Sequence, residues 1–263
     1  MTIRVAVSGT GNMGRAVLAA LEQHEDFEPV GMIEKLSTGA TFASDGGRSL
    51  PQSSDPAALL DTTKPEVVID FTNAEWTPIL AEAALERGVR LVIGTTGLAE
   101  SWIAELDAQC RASGVGAVIA PNYAIGAVLM IHMARIASRF FDSAEIIELH
   151  HDKKADAPSG TALSTAREML AARGKPFDRN EPEKEPLAGA RDAQVDGLTI
   201  HSVRLPGFVA HQEVIFGGTA QTLSIRHDTS GRESFVPGVL LAAKEVLQRK
   251  ELVRSLESLF GLA

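Results

Sequence analysis

Ile3-Arg4-Val5-Ala6-Val7-Ser8-Gly9-Thr10-Gly11-Asn12-Met13-Gly14 is the stretch that decides the fold class. Residues 3–8 alternate with a β-branched bias and predict a strand, and the apolar spacing of Val17, Leu18 and Leu21 predicts a helix from Arg15 to about His24. Glycines at 9, 11 and 14 lie between the two. In that context the first glycine permits a tight turn, the second lets the backbone approach a pyrophosphate, and the third allows close helix–strand packing. Glu34 follows Gly14 by 20 residues, near the end of a second strand expected over 28–34. An acid there accepts hydrogen bonds from an adenine ribose, whereas Lys35 beside it can attract a 2′-phosphate, so NADH and NADPH are both expected cofactors.

Moving outward, the pattern repeats. Residues 36–54, rich in Ser, Thr, Gly and Asp, are expected to be a mobile surface loop. Asp55-Pro56 starts a helix, Val67-Val68-Ile69-Asp70-Phe71 is a strand buried on both faces, and Thr77-Pro78 opens a helix that Gly88 stops. Strands at 90–93 and 116–120 flank a helix at 99–112. Alternating strands and helices predict a doubly wound parallel sheet of Rossmann type. Gly94-Thr95-Thr96-Gly97 and Ala120-Pro121-Asn122-Tyr123 end strands of that sheet, where ligands of such folds bind, although ordinary turn chemistry explains either loop equally well.

After Tyr123 the pattern changes. A long helix is expected over 125–141, a strand over 144–150, a helix from Ser159 to about Arg173, and irregular chain over 174–197. Strands at 198–205, 211–216 and 219–227 follow without helices between them and are expected to pair antiparallel. The second domain is therefore α+β with an open mixed sheet, and one face of that sheet lacks a covering helix, which predicts an oligomer. Helical periodicity returns over 235–260. The expected division is a dinucleotide-binding domain of residues 1–123 and 235–263, with a substrate-binding and oligomerisation domain of residues 124–234 inserted in it.

The strand over 144–150 leads into Glu148-Leu149-His150-His151-Asp152-Lys153-Lys154-Ala155-Asp156-Ala157-Pro158-Ser159-Gly160-Thr161-Ala162. Histidine exchanges protons near neutral pH, lysine is a compact cation, and a Ser-Gly-Thr helix start presents unpaired N–H groups to an anion. The set suits a small dicarboxylate that must be gripped and protonated. His132 and His201 read as structural, and the histidine spacing with a single cysteine, Cys110, supplies no metal site.

Length and composition bound the class. A chain of 263 residues with 44% hydrophobic and 22% charged residues fits a globular protein of one or two domains. A net charge of −9 argues against nucleic-acid binding, though a local basic pocket still takes an anionic ligand. No apolar run reaches the roughly 18 residues of a membrane span. The absence of a secretory pattern at the N-terminus and of a possible internal disulfide makes the cytoplasm the expected compartment.

The block from Glu148 to Ala162 resembles the signature of the 4-hydroxy-tetrahydrodipicolinate (dihydrodipicolinate) reductases of diaminopimelate and lysine biosynthesis. The form E-x-H-H-x-x-K-x-D-A-P-S-G-T-A is matched at every defined position, and similarity extends to the glycine loop, Asp70-Phe71-Thr72, Gly94–Gly97, Ala120–Tyr123 and the segment from Gly231-Arg232 to Ala243. The resemblance implies that His150 is the acid/base group and Lys154 the proton donor. It implies that His151, Ser159, Gly160 and Thr161 hold a substrate carboxylate. Gly9, Thr10, Gly11, Asn12, Met13, Gly14, Glu34 and Lys35 would hold the cofactor, with Gly94, Thr95, Thr96, Ala120, Pro121, Asn122 and Tyr123 around its nicotinamide. A homotetramer joined through the sheets of the second domain is implied as well. Two positions depart from the family pattern, Asn12 before Met13 and Asn73 after Phe71-Thr72, and each removes a cation found in many members. Another two-domain dehydrogenase of amino-acid metabolism and a non-catalytic NAD(P) sensor remain open at this point. A substrate panel separates the first, and cofactor binding without turnover identifies the second.

Overall fold

The computed structural model describes residues 2–187, 189–191 and 193–262. The chain divides into two compact units, Met1–Ile125 with Arg232–Ala263, and Gly126–Gly231.

The first unit holds strands β1 (Ile3–Ser8), β2 (Phe27–Ile33), β3 (Thr41–Ala43), β4 (Ser49–Ser53), β5 (Val67–Asp70), β6 (Arg90–Ile93) and β7 (Ala117–Ile119). With them come helices α1 (Asn12–Gln23), α2 (Pro56–Thr63), α3 (Thr77–Leu85) and α4 (Glu100–Ser113). In the second unit are α5 (Ile125–Ala137, whose first residue belongs to the first unit), β8 (Ser143–His150), α6 (Gly160–Arg173), β9 (Gln194–Val195), β10 (Leu198–Arg204), β11 (Ala210–Gly218) and β12 (Gln221–Thr229). The chain then returns to the first unit with α7 (Val236–Glu245), β13 (Leu252–Val253) and α8 (Leu256–Leu259).

The first sheet has the order β13-β7-β6-β5-β1-β2-β4-β3, parallel except for the β3–β4 hairpin. Its central strands have no polar face: Val5, Val7, Val68, Ile69, Leu91, Val92 and Val118 are all fully buried, as helices on both sides require. The strand order reverses at β1, which has β2 on one side and β5 on the other. The loops after β1 and β5 therefore flank the switch point at which ligands of such sheets bind.

Two expectations for this unit fail. Residues 36–54 are not simply a surface loop, because Phe42 and Leu50 bury their side chains and pair across β3–β4. Nor do residues 235–260 form one helix. After α7 the chain turns extended at Arg249, and Leu252 and Val253 bury themselves as an edge strand on β7, which a continuous helix would not allow.

The second sheet has the order β12-β11-β8-β10-β9. β10 does not pair with β11 as expected. β8 lies between them, antiparallel to β11 and parallel to β10, because α6 supplies the crossover that a parallel pair needs. α6 is capped by Ser159, whose Oγ accepts from Ala162 N at 3.2 Å, and ends at Gly174 in the left-handed region. Ala162, Ala166 and Met169, spaced four and three residues apart, bury one face of α6 in a core with Ile146, Ile200, Val214 and Phe216. Gln212 on β11 adds a buried hydrogen bond to Thr165 Oγ1 at 2.8 Å. The opposite face of the sheet carries half-buried Ile147, Leu149, Val203 and Ile215. Among the described residues no helix is long and apolar enough to cross a membrane.

Candidate active site

Period-two alternation puts Ile146, Glu148 and His150 on one face of β8, toward α6. Glu148 is fully buried, and its carboxylate is saturated. Oε2 accepts from Arg204 Nη1 at 2.8 Å and meets His150 Nδ1 at 2.5 Å. Oε1 accepts from Arg204 Nη2 at 2.7 Å and from Ser159 N at 3.1 Å. Burial alone would raise the Glu148 carboxyl, but hydrogen bonds from Arg204, Ser202 and His150 outweigh it and hold the group below its ordinary value. His150 is pushed the other way from a typical ion-paired histidine. Burial lowers it, Glu148 opposes that, and the charges of Lys154 and Arg204 lower it further, so the neutral ring is favoured.

The loop after β8 is tied down at two points. Lys154 N donates to His151 O at 3.2 Å, and Arg204 Nη2 donates to Asp156 O at 2.7 Å. Lys154 Nζ pairs with Asp156 Oδ1 at 2.7 Å, which holds the Asp156 carboxyl below its usual range. Ser159 is buried with both its N–H and its hydroxyl used within the protein, whereas Gly160 is exposed and Thr161 half-exposed in the first turn of α6. His151 is exposed beyond the strand end. His150 and the start of α6 thus meet on Glu148, and Lys154, paired with Asp156, lies on the loop between them.

In the first unit, Gly9 has φ +98°, a conformation that side chains rarely adopt, and a Cβ on Gly14 would stand 1.9 Å from the Gly9 carbonyl oxygen. A Cβ on Gly11, the residue before α1, meets nothing, so the surface in front of the helix start is open to a ligand. Glu34 Oε2 accepts from Thr10 N at 2.9 Å and Thr10 Oγ1 at 2.7 Å, and Oε1 accepts from Leu36 N at 3.3 Å. These bonds, acting against burial, hold the Glu34 carboxyl below its ordinary value. Asn12 and Lys35 are exposed and Met13 is half-buried. The cradle, the helix start and the ionised acid at the end of β2 fit a dinucleotide.

Further along the same sheet edge, Thr95, Thr96, Ala120 and Pro121 line an open cavity of about 260 Å³, with Glu100 and Arg254, paired at 2.6 Å, also on its wall. Gly94 is required by its neighbour, since a Cβ there would overlap the Phe71 ring at 2.0 Å. The side chains of Asn122 and Tyr123 are turned to structural use. Asn122 Oδ1 accepts from Ala124 N at 2.8 Å, and the buried Tyr123 hydroxyl donates to Ile93 O at 2.9 Å. Beneath these loops the fully buried Asp70 accepts from Thr77, Thr72 and Thr95 hydroxyls at 2.6, 2.7 and 3.1 Å. Burial raises its carboxyl despite those bonds.

Glu148 and Asp70 stand in the motifs read from the sequence, but the partnerships they make do not, and neither does Arg204. Glu148 is two residues before His150 on a strand and therefore shares its face, a signal that alternation does contain. Arg204 lies 56 residues beyond Glu148 and carries no local signal. The three-threonine cage of Asp70 draws on the end of β5, the start of α3 and the loop after β6, which only folding brings together.

Comparison with known proteins agrees with this arrangement. Residues 3–123 match the family described as dihydrodipicolinate reductase, N-terminus, and residues 126–260 match dihydrodipicolinate reductase, C-terminus. A 4-hydroxy-tetrahydrodipicolinate reductase of Dehalococcoides mccartyi (strain CBDB1) is 48% identical over 262 residues, 99% of each chain. The enzyme of that name from Moorella thermoacetica is 50% identical over 264 residues, 98% of each chain. A solved structure, the dipicolinate-bound dihydrodipicolinate reductase from Paenisporosarcina sp. TG-14, superposes with a TM-score of 0.89 at 39% identity, covering 98% of this chain and 99% of that one. The chain belongs to the dihydrodipicolinate reductase family.

Proposed function

We propose that this chain reduces 4-hydroxy-tetrahydrodipicolinate, through dihydrodipicolinate, to tetrahydrodipicolinate with NADH or NADPH. The observation that carries this reading is the meeting of His150 and the start of α6 on the buried Glu148 carboxylate, with Lys154, paired to Asp156, on the loop between them. Water leaves the 4-hydroxy ring, a hydride adds at ring carbon 4, and the electron pair displaced through the conjugated imine takes up one proton.

Lys154 donates that proton, and Asp156 steadies its ammonium until then. His150, with its neutral ring favoured, accepts or relays protons at the nitrogen facing away from Glu148. His151, Gly160 and Thr161 at the start of α6 and the Lys154 charge hold the two carboxylates, which fixes the ring for transfer, while Ser159 caps the helix that presents them. The bound nicotinamide supplies the hydride. Gly9 to Gly14 take the pyrophosphate, Glu34 and Lys35 the adenosine ribose, and Gly94, Thr95, Thr96 and Ala120 to Tyr123 surround the nicotinamide end. On this assignment the unit containing β1 is the dinucleotide-binding domain, and the unit containing β8 binds substrate. The latter also joins subunits, in a tetramer built through the open sheet face of Ile147, Leu149, Val203 and Ile215. The enzyme is cytoplasmic in this reading.

The test generates the substrate in place from pyruvate and aspartate semialdehyde and follows the absorbance of NADH and NADPH side by side. Substrate-dependent loss with at least one of them is expected, and loss with neither overturns the assignment. Lys154→Met should lower turnover roughly 10²- to 10⁴-fold while NADH binding stays unchanged.

A further inference from the structure

The Glu148 carboxylate joins the two halves of the proposed site, since one oxygen meets the His150 ring and the other the first N–H of the α6 cap. We infer that Glu148, held by Arg204, is a positioning residue that locks His150 in the tautomer with its proton on Nδ1 and its lone pair on Nε2. The inference rests on the proton-transfer role proposed above for His150.

The argument is one of hydrogen-bond capacity. An ionised carboxylate only accepts, and its two oxygens offer about four lone-pair positions. Arg204 donates two hydrogen bonds to them and Ser159 N and the Ser202 hydroxyl one each, in a residue with no solvent exposure to supply water. Because the ionised carboxylate has no hydrogen of its own to give, the one between it and His150 Nδ1 belongs to the ring. A neutral imidazole with Nδ1 protonated carries its lone pair on Nε2, which leaves Nε2 as the atom that can accept a proton. The pairing of Arg204 with both oxygens keeps the carboxylate from rotating away, because a planar guanidinium fork matches a carboxylate in one orientation. The charged groups around His150 are Glu148 on its own strand, Arg204 on β10, and Lys154 with Asp156 on the following loop.

A purely structural Glu148, serving only to attach the strand end to α6, predicts none of this for the imidazole. Side-chain ¹⁵N NMR of the full-length wild-type protein, labelled at histidine, reads the tautomer directly. The proposal expects Nδ1–H for His150 at neutral pH, and Nε2–H overturns it, whatever the enzyme's activity. In Glu148→Gln the neutral amide accepts or donates equally well, so a tautomer mixture is expected with turnover lowered roughly 10²-fold. The acid limb of kcat/KM should move to lower pH, because the anion that favours the protonated ring is gone. In a His150→Ala background the same Glu148→Gln change should have little further effect on turnover, whereas an undiminished loss there would mean that Glu148 acts independently of His150. Should Glu148→Gln fold poorly, Glu148→Gln with Arg204→Met removes both charges together and is measured in its place. A His150→Ala enzyme with full activity refutes the role proposed for His150 but not the tautomer lock, which the NMR decides alone.

Discussion

Arg204 and Glu148 meet fork to fork inside the second unit, Nη1 to Oε2 at 2.8 Å and Nη2 to Oε1 at 2.7 Å, with the glutamate wholly buried. Removing one partner of such a pair strands a charge away from water. Arg204→Met should therefore cost about 3–5 kcal/mol of stability, measured by urea unfolding. Arg204→Lys, which keeps the charge and loses the fork, should lie between that variant and the wild type. An Arg204→Met protein as stable as wild type would mean that the carboxylate finds another partner.

Gly14 has no room for a side chain beside the Gly9 carbonyl. Gly14→Ala should displace the glycine loop, lowering stability by about 1–3 kcal/mol as overpacking does. NADH titration followed by fluorescence should show weakened cofactor affinity. Unchanged affinity would remove this loop from the cofactor site.

Glu34 presents an ionised carboxylate at the end of β2. A charge about 4 Å from a 2′-phosphate repels it by about 1–4 kcal/mol between water and a protein surface. Glu34→Gln keeps an oxygen for Thr10 and removes the charge, so the ratio of kcat/KM for NADPH over NADH should rise about tenfold or more. Parallel assays with the two cofactors check the ratio, and no change would place the 2′-position elsewhere.

Stability should fall on acidification. His150 is held below its ordinary 6.5 and Glu148 and Glu34 below 4.5, so the unfolded chain binds these protons first as pH drops. Their contributions are present above the ordinary values and are lost progressively from about pH 6.5 downward. Asp70 runs opposite, being held above 3.8, so the folded state takes its proton first and this group gains as pH falls. Urea midpoints at pH 8, 6 and 5 should decrease in that order, and Glu148→Gln should flatten the decline near pH 5.

What local pattern can carry was legible in the chain. The strand–glycine–helix order of residues 3–23 and the apolar runs of β5 and β6 reflect burial on two faces, which each segment records in its own composition. The block from Glu148 to Ala162 likewise contains its histidines, its lysine and its helix cap within fifteen residues. The short edge pieces were not legible. β3, β4 and β13 have three, five and two residues, too few to show a period, and they are strands only because β4, β2 and β7 respectively offer them unpaired backbone.

The sequence by itself determined the doubly wound class, the glycine cradle with Glu34, and the block from Glu148 to Ala162 proposed for proton transfer, because each depends on residues near one another along the chain. The tertiary structure alone decided that β8 lies between β10 and β11, and so brought Arg204 from 56 residues away onto Glu148. It likewise assembled three threonines from separate elements around Asp70. In both cases a buried carboxylate must be met by donors, and those donors come from whichever strands and loops the folded sheets set beside it.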